Sequence, residues 1–325
     1  MQSYYMNENF FPKTLLLAAF LLTAFLIPRT INAQNNARKW MDKITVHTQK
    51  RLQSGTDSNS SKIITETQQW DPRHTAIIIC DMWDQHWCKG ASARVAEMAP
   101  RLNEVISSAR EKGMLIVHAP SECIDYYKDH PARTRMLQYR GSNYEKLISD
   151  EKLETEQNAT WPVDQSDEGC DDLPKCSLGN PWRKEIAALE IKEGDAISDS
   201  GAEIAALFEQ KGIKNVILTG VHTNMCVIGR SFGLRNMVRL GKNVVLMRDM
   251  TDAMYNSRMW PVVNHFAGVQ LVVDYIEKYV CPTILSTDIT GSKKFRFKDD
   301  KRSVNAAIIP KEEYFFLTAG LLPVP

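Results

Sequence analysis

Apolar residues along this chain fall into short unbroken runs, separated by stretches with helical spacing. Residues 75–80 (TAIIIC) are apolar almost throughout, as a strand buried on both faces requires, and lead into Asp81-Met82-Trp83-Asp84. Residues 93–112 repeat Val95, Met98, Leu102, Val105 and Ile106 on one face, with Gly113 as the stop. Pro100 inside that stretch marks a kink or the first turn of a shorter helix. A second apolar run, 114–118, completes a right-handed strand–helix–strand unit. The periodicity is then lost from Pro120 to about Glu185, where aromatic, charged and turn-forming residues mix. An insertion of that length is functional or disordered. Its Tyr126, Tyr127, Trp161 and Trp182 predict an ordered lid or pocket wall. Regularity returns with a strand within 186–198, a helix over 201–211 and a strand over 216–219. A helix over 225–240 ended by Gly241 and a strand over 244–247 follow, then a helix near 260–266, an apolar run at 270–273 and a helical stretch to Tyr279. This alternation predicts an α/β fold, three-layer α/β/α, built on a mostly parallel, doubly wound, Rossmann-like sheet.

The ends of the chain read differently. Residues 14–27 (TLLLAAFLLTAFLI) form an uncharged run between Lys13 and Arg29, the length of a signal-peptide core rather than of a membrane span. Cleavage after Ala33 gives a signal peptide over 1–33 and an exported protein, periplasmic or extracellular, with no stable membrane insertion. An uncleaved N-terminal anchor is the alternative. Residues 34–70 are a polar extension whose short alternating runs suit a loose hairpin or an arm. The main domain spans 71–282, with its insertion at about 120–185, and a C-terminal extension covers 283–325. Within the latter, 293–302 (KKFRFKDDKR) reads as a solvated strand or arm, and the apolar end 315–325 as packed on the domain or on a neighbouring subunit.

Composition narrows the function. The chain has 325 residues, 43% hydrophobic and 24% charged, and 40 basic against 39 acidic residues give a net charge of +1. That balance points away from nucleic acid and from anionic membrane surfaces as partners. A small-molecule substrate and a homo-oligomer are expected. Seven cysteines in an exported chain invite pairing. Cys170 and Cys176 flank a turn-rich loop that a disulfide would close, or they stay free thiols. Cys80 lies in an apolar run and reads as core, while Cys88, Cys123 and Cys281 have no metal-like spacing and no CxxC pair occurs.

The chemistry centres on Gly220 to Arg230 (GVHTNMCVIGR), which follows the apolar run of residues 215–219. Cys226 there sits at the start of a helix behind a buried strand, where unpaired backbone N–H groups and the helix dipole favour a thiolate. The other reading is a small residue packed under the sheet. Ligands in such sheets bind beyond the carboxyl ends of the strands. The polar residues there are Asp81 and Asp84, His118 and Ser121, Asp199 and Ser200, His222 to Cys226, and Asp249 and Asp252. An acid and a thiol converging from separate strand ends are what a cysteine hydrolase needs.

Asp81 after an apolar strand, with G-V-x-T-N-x-C-V opening a helix, resembles the isochorismatase-like cysteine hydrolases, the superfamily of nicotinamidases and N-carbamoylsarcosine amidases. The resemblance covers roughly 75–281. It implies that Cys226 attacks a carbonyl carbon, that Asp81 takes and returns the proton, and that a small amide or ureido compound loses its C–N bond through a thioester. It further implies a cis peptide between Val221 and His222, with the N–H groups of His222 and Cys226 as oxyanion hole. Trp83 and His86 stand where the family has Gln and Phe; with His118 and Asn224 they are assigned to the substrate pocket, which implies an altered substrate. The family's third member is a lysine that falls here at about Ser200. Ser200 reads as a helix cap with Glu203, and Lys192 is the nearby candidate to complete the triad or else a solvated turn lysine. The family's metal ligands are not matched, and neither metal nor cofactor is expected. Asp84 and His86 with His118 or His222 are the alternative set. Two rivals remain: a non-catalytic binding or assembly protein with this fold, and a thiol redox protein.

Overall fold

The computed structural model describes residues 43–53 and 61–302. The proposed signal peptide with its cleavage at Ala33, most of the Ser/Asn/Gly-rich stretch, and the apolar end at 315–325 lie outside the described residues. Eight strands form one sheet: β1 (Ile44–Gln53), β2 (Ser61–Trp70), β3 (Thr75–Cys80), β4 (Leu115–Ala119), β5 (Ala196–Ile197), β6 (Asn215–Val221), β7 (Asn243–Asp252) and β8 (Thr283–Ile284). Their order is β2-β1-β8-β7-β6-β3-β4-β5. From β8 to β5 all pairings are parallel, and β1 and β2 add an antiparallel hairpin at the β8 edge. The 34–70 extension therefore enters the sheet as two strands in full register from Ile44↔Trp70 to Gln53↔Ser61.

The central strands are apolar throughout because both faces are covered. Along β3, Ala76, Ile78 and Cys80 face a core that includes Phe208, Leu218, Val272 and Ile276. Ile77 and Ile79 face the other, with Met98, Leu102, Ile106, Ile217 and Val245. Each such fully buried side chain contributes about 1.5–3 kcal/mol of transfer free energy. Helix α1 (Lys89–Lys112) carries Pro100 in its interior, starts four residues earlier than its apolar periodicity, and ends at Gly113 in the left-handed conformation. Ser200 caps α2 (Gly201–Gln210) by accepting from the Glu203 N–H at 3.3 Å. The reciprocal half of a capping box is missing, because the Glu203 carboxylate instead pairs with buried Arg133 and accepts from Ser198.

Two expectations are corrected. The helix expected over 225–240 is broken: Thr223–Val227 is a wide π-type turn, and α3 (Leu234–Arg239) begins only after Gly233. A Cβ on Gly233 would lie 2.9 Å from backbone atoms of Arg230 and Val227, so the chain doubles back where a continuous helix has no room. The run 270–273 is no separate element; it lies inside α4 (His265–Tyr279), a single helix capped by Asn264. Its apolar residues look strand-like because α4 buries Val269, Val272 and Val273.

Candidate active site

Three strand ends and the insertion build the site. Asp81 follows β3 with φ at +48°, fully buried, and its Oδ1 accepts from the Ser121 N–H beyond β4 at 2.7 Å. Trp83 fixes the same loop by donating its Nε1–H to the Ser121 carbonyl at 3.0 Å. Next to β3, β6 delivers Gly220 with φ at +100°; a Cβ there would sit 2.1 Å from the Cys80 carbonyl oxygen. Only glycine lets the two strands approach that closely. The Val221–His222 peptide that follows is cis. Thr223 and Asn224 then stitch the turn to the end of β7. Thr223 Oγ1 meets Thr251 Oγ1 at 2.7 Å and the Asp252 carbonyl at 2.9 Å. Asn224 donates to the Met254 carbonyl and to Gln165 Oε1, and accepts from the Met254 N–H. With the turn so pinned, Cys226 comes near enough to Asp81 for each group to shift the pKa of the other.

The cation beside this pair is Arg230. Its N–H donates to the Cys226 carbonyl at 3.0 Å, so it stands one helical turn on from the thiol, where side chains meet. Its Nε lies 3.6 Å from Asp81 Oδ2, and its Nη2 pairs with Glu122 Oε1 at 2.9 Å. Lys192, offered from sequence for this role, sits in the turn before β5 with an exposed side chain paired to Glu190. It does not complete a triad. Arg230 was quoted in the motif stretch but given no role; its i, i+4 spacing from Cys226 was the signal.

Burial pushes the Asp81 carboxyl up to about 6, against the pull of the Arg230 charge, the Cys226 thiol and the Ser121 N–H. Burial and the neighbouring Asp81 charge push the Cys226 thiol up to about 12, with Arg230 drawing it back. Arg230 itself stays charged: burial would lower its pKa, but Cys226 and Asp81 raise it more. At neutral pH the resting pair is therefore carboxylate and thiol beside a guanidinium. A pocket of about 510 Å³ opens on Cys226 and Arg230, lined also by Ser121, Glu122, Asp150, Asp199 and Met225.

The remaining expected pocket residues are redistributed. Trp83 stacks on Trp182 with centroids 4.5 Å apart and His86 stacks on Trp182 at 5.7 Å, and none of the three lines that pocket. Trp182 donates to Glu122, the partner of Arg230. His222 is buried beside His86, and burial lowers its pKa to about 3, so its imidazole is neutral. Asn224 is buried with its polar atoms used by backbone and Gln165, which makes it a structural staple rather than a pocket residue. His118 is also corrected. It is buried between Glu185 Oε2 at 2.7 Å and Asp195 Oδ2 at 3.3 Å, with Arg110 bound to the same Asp195 carboxylate. Burial alone would lower its pKa, but Glu185 and Asp195 raise it to about 9.

The alternative Asp84–His86–His118 ion site is not assembled. Asp84 accepts from the Arg183 and Lys184 N–H groups, while His86 and His118 lie in the stack and the carboxylate pair just described. The 170–176 loop is not closed by a disulfide either; both cysteines are thiols, and the Cys170 sulfur turns to Cys88.

No family model matches the chain, and no curated protein matches it. Similar solved structures include a cysteine hydrolase from Pseudomonas syringae pv. phaseolicola 1448A, at 15% identity over 68% of this chain and 92% of that one, with a TM-score of 0.42. Another is an isochorismatase family protein from Burkholderia thailandensis, at 13% identity, covering 68% of this chain and 97% of that one, with a TM-score of 0.37. A nicotinamidase from Acinetobacter baumanii follows at 14% identity, covering 67% of this chain and 99% of that one, with a TM-score of 0.35.

Proposed function

We propose that this chain is a cysteine amidohydrolase that cleaves a C–N bond of a small amide or ureido compound. The observation that carries the reading is the buried Asp81 carboxylate, poised near 6 beside the Cys226 thiol and the Arg230 guanidinium. A base titrating just below neutrality is present as carboxylate and still accepts a proton readily. As the Cys226 sulfur bonds to the substrate carbonyl carbon, its proton passes to Asp81, and the N–H groups of His222 and Cys226 receive the oxyanion. Asp81 returns the proton to the departing nitrogen, and the C–N bond breaks to leave a thioester. Water then attacks the thioester, Asp81 takes a proton from it, and the acid leaves as Cys226 regains its hydrogen. Arg230 holds the negative charge that moves between sulfur and carboxylate and gives up no proton.

The pocket also limits the substrate. Glu122, Asp150 and Asp199 share the lining with the single guanidinium of Arg230, and Glu122 already neutralises part of that charge. Neutral amides and ureides, or cationic ones, suit this rim better than carboxylates. A panel of neutral, cationic and anionic amides with ammonia detection tests the reading. Turnover that disappears in Cys226→Ala, with a Cys226-linked acyl group trapped at low temperature in the native protein, is the expected result. Turnover that persists in Cys226→Ala, or no turnover across the whole panel, would overturn it.

A further inference from the structure

Away from the thiol–carboxylate pair, a second sulfur cluster joins the insertion to the sheet. Among the described residues, Cys88, Cys170 and Asp172 are the one group of His, Cys, Asp and Glu side chains whose ligand atoms converge closely enough for a shared ion. A third sulfur stands outside that convergent group but beside it: Cys176 Sγ lies 3.2 Å from Asp172 Oδ2. That oxygen is also 3.5 Å from Cys88 Sγ and 3.8 Å from Cys170 Sγ. Two ligands of a tetrahedral zinc site, one sulfur at about 2.3 Å and one oxygen at about 2.0 Å, stand about 3.5 Å apart. All three carboxylate–sulfur distances cluster around that value. The Cys88 and Cys170 sulfurs are 2.9 Å apart, closer than the about 3.8 Å of two thiolates on one zinc. They are farther apart than the about 2.05 Å of a disulfide.

The surroundings suit thiolates and a carboxylate held together. Cys88 is the N-cap of α1, and the first backbone N–H groups of that helix point at the cluster. Lys89 N–H reaches Cys176 Sγ at 3.5 Å, and Gly90 N–H reaches Asp172 Oδ2 at 2.8 Å. A Cβ on Gly90 would stand 2.8 Å from Asp172 Oδ1, so any side chain there would displace the carboxylate from its place. These amides are second-sphere donors of the kind that orient metal ligands, and the positive end of a 24-residue helix offsets the site's negative charge. The flanking chain is fixed as well. Gly169, with φ at +71°, packs where a Cβ would meet the Met254 carbonyl at 2.3 Å, and Asp171 accepts from the Ser257 N–H and hydroxyl.

We propose that Cys88, Cys170, Cys176 and Asp172 bind one divalent ion of the zinc class and so fasten the end of the insertion to the first turn of α1. Three sulfurs and one oxygen select a soft or borderline metal with tetrahedral preference over magnesium or calcium. Binding displaces the three thiol protons to solvent and needs no oxidant. With four protein ligands the ion has no open position, so its role is structural. It does not depend on the hydrolase reading. The clamp bears on the site indirectly: Cys88, Cys170 and Met254 pack in one apolar cluster with Met225, the neighbour of Cys226.

The test uses the full chain, expressed in zinc-supplemented medium and kept under inert gas. Elemental analysis is expected to find one zinc per chain in the native protein, falling to near zero in Cys88→Ser and Asp172→Asn. The cobalt-exchanged native protein is expected to show thiolate-to-metal charge-transfer absorption, weakened in Cys176→Ser, which alters the least buried sulfur and so spares the fold. Zinc removal with a chelator is expected to make the 120–185 segment susceptible to protease. The proposal is overturned by an intact mass lighter by two hydrogens with a mapped disulfide between any two of the three cysteines and no metal. It is equally overturned by zinc content and cobalt spectra that do not change in the three variants.

Discussion

Arg230 shows how one side chain can change the chemistry read from a motif. The family resemblance puts a lysine near Ser200, and its absence left the triad apparently incomplete. The structure supplies a cation from the same segment as the nucleophile, held by Glu122 and 3.6 Å from Asp81. Asp81 and Cys226 were legible because strand-end placement and the G-V-x-T-N-x-C-V spacing are properties of the linear chain. Arg230 was not, because its role depends on the π-type turn at Thr223–Val227 giving way to a regular turn that brings residue 230 back over residue 226. Asp81→Asn is expected to lower kcat/KM by about 10²-fold or more, as loss of a general base does, measured on whichever amide the panel identifies. In the native protein kcat/KM is expected to fall as pH drops through about 6, where Asp81 becomes protonated. Arg230 lowers the Asp81 pKa, so Arg230→Gln should move that acid limb to higher pH, and Arg230→Lys should restore most of the shift. An unmoved limb in Arg230→Gln would remove the arginine from the charge-holding role.

Elements carry the next level of consequence. Asn224, assigned to the substrate pocket from the sequence, is stitching in three dimensions, and so is Thr223 beside it. Asn224→Ala strips partners from the Met254 N–H and carbonyl in a buried place. A loss of about 1–3 kcal/mol per unsatisfied group is expected in denaturant unfolding. His118 makes a second element-scale case, since it ties β4 to the insertion at Glu185 and to Asp195 just before β5. Its pKa rises from 6.5 to about 9 on folding. The stabilisation is therefore complete below 6.5 and is lost as pH climbs through about 9. Unfolding free energy measured across that window should decline in the native protein and flatten in His118→Gln. The strands and α1 were readable from periodicity, but the broken helix at 225–240 was not. Its apolar spacing is continuous, whereas the chain makes a π-type turn at Thr223–Val227 and restarts as a helix only after Gly233.

For the whole molecule, the sequence made the parallel α/β core plain and left the extensions open. Runs such as 75–80 and 216–219 are apolar because helices cover both faces of the sheet, and that rule needs no knowledge of partners. The hairpin of β1 and β2 has no such signature. Its edge position shows in alternating burial along β1, where Ile44, Val46 and Thr48 point inward. Its partner lies far away in sequence, with Gln49 opposite Thr283. Arg51 continues the seam by pairing with Asp274 and Glu277 of α4. Deletion of residues 34–70 should expose the β8 edge and lower the thermal midpoint, with aggregation read by light scattering. The pairing of the first strand with the last also sets an order of events in biosynthesis. A ribosome that has delivered β1 must still deliver more than two hundred residues before β8 exists to receive it. Until then the hairpin lacks its place in the sheet, and closure of the fold waits for β8.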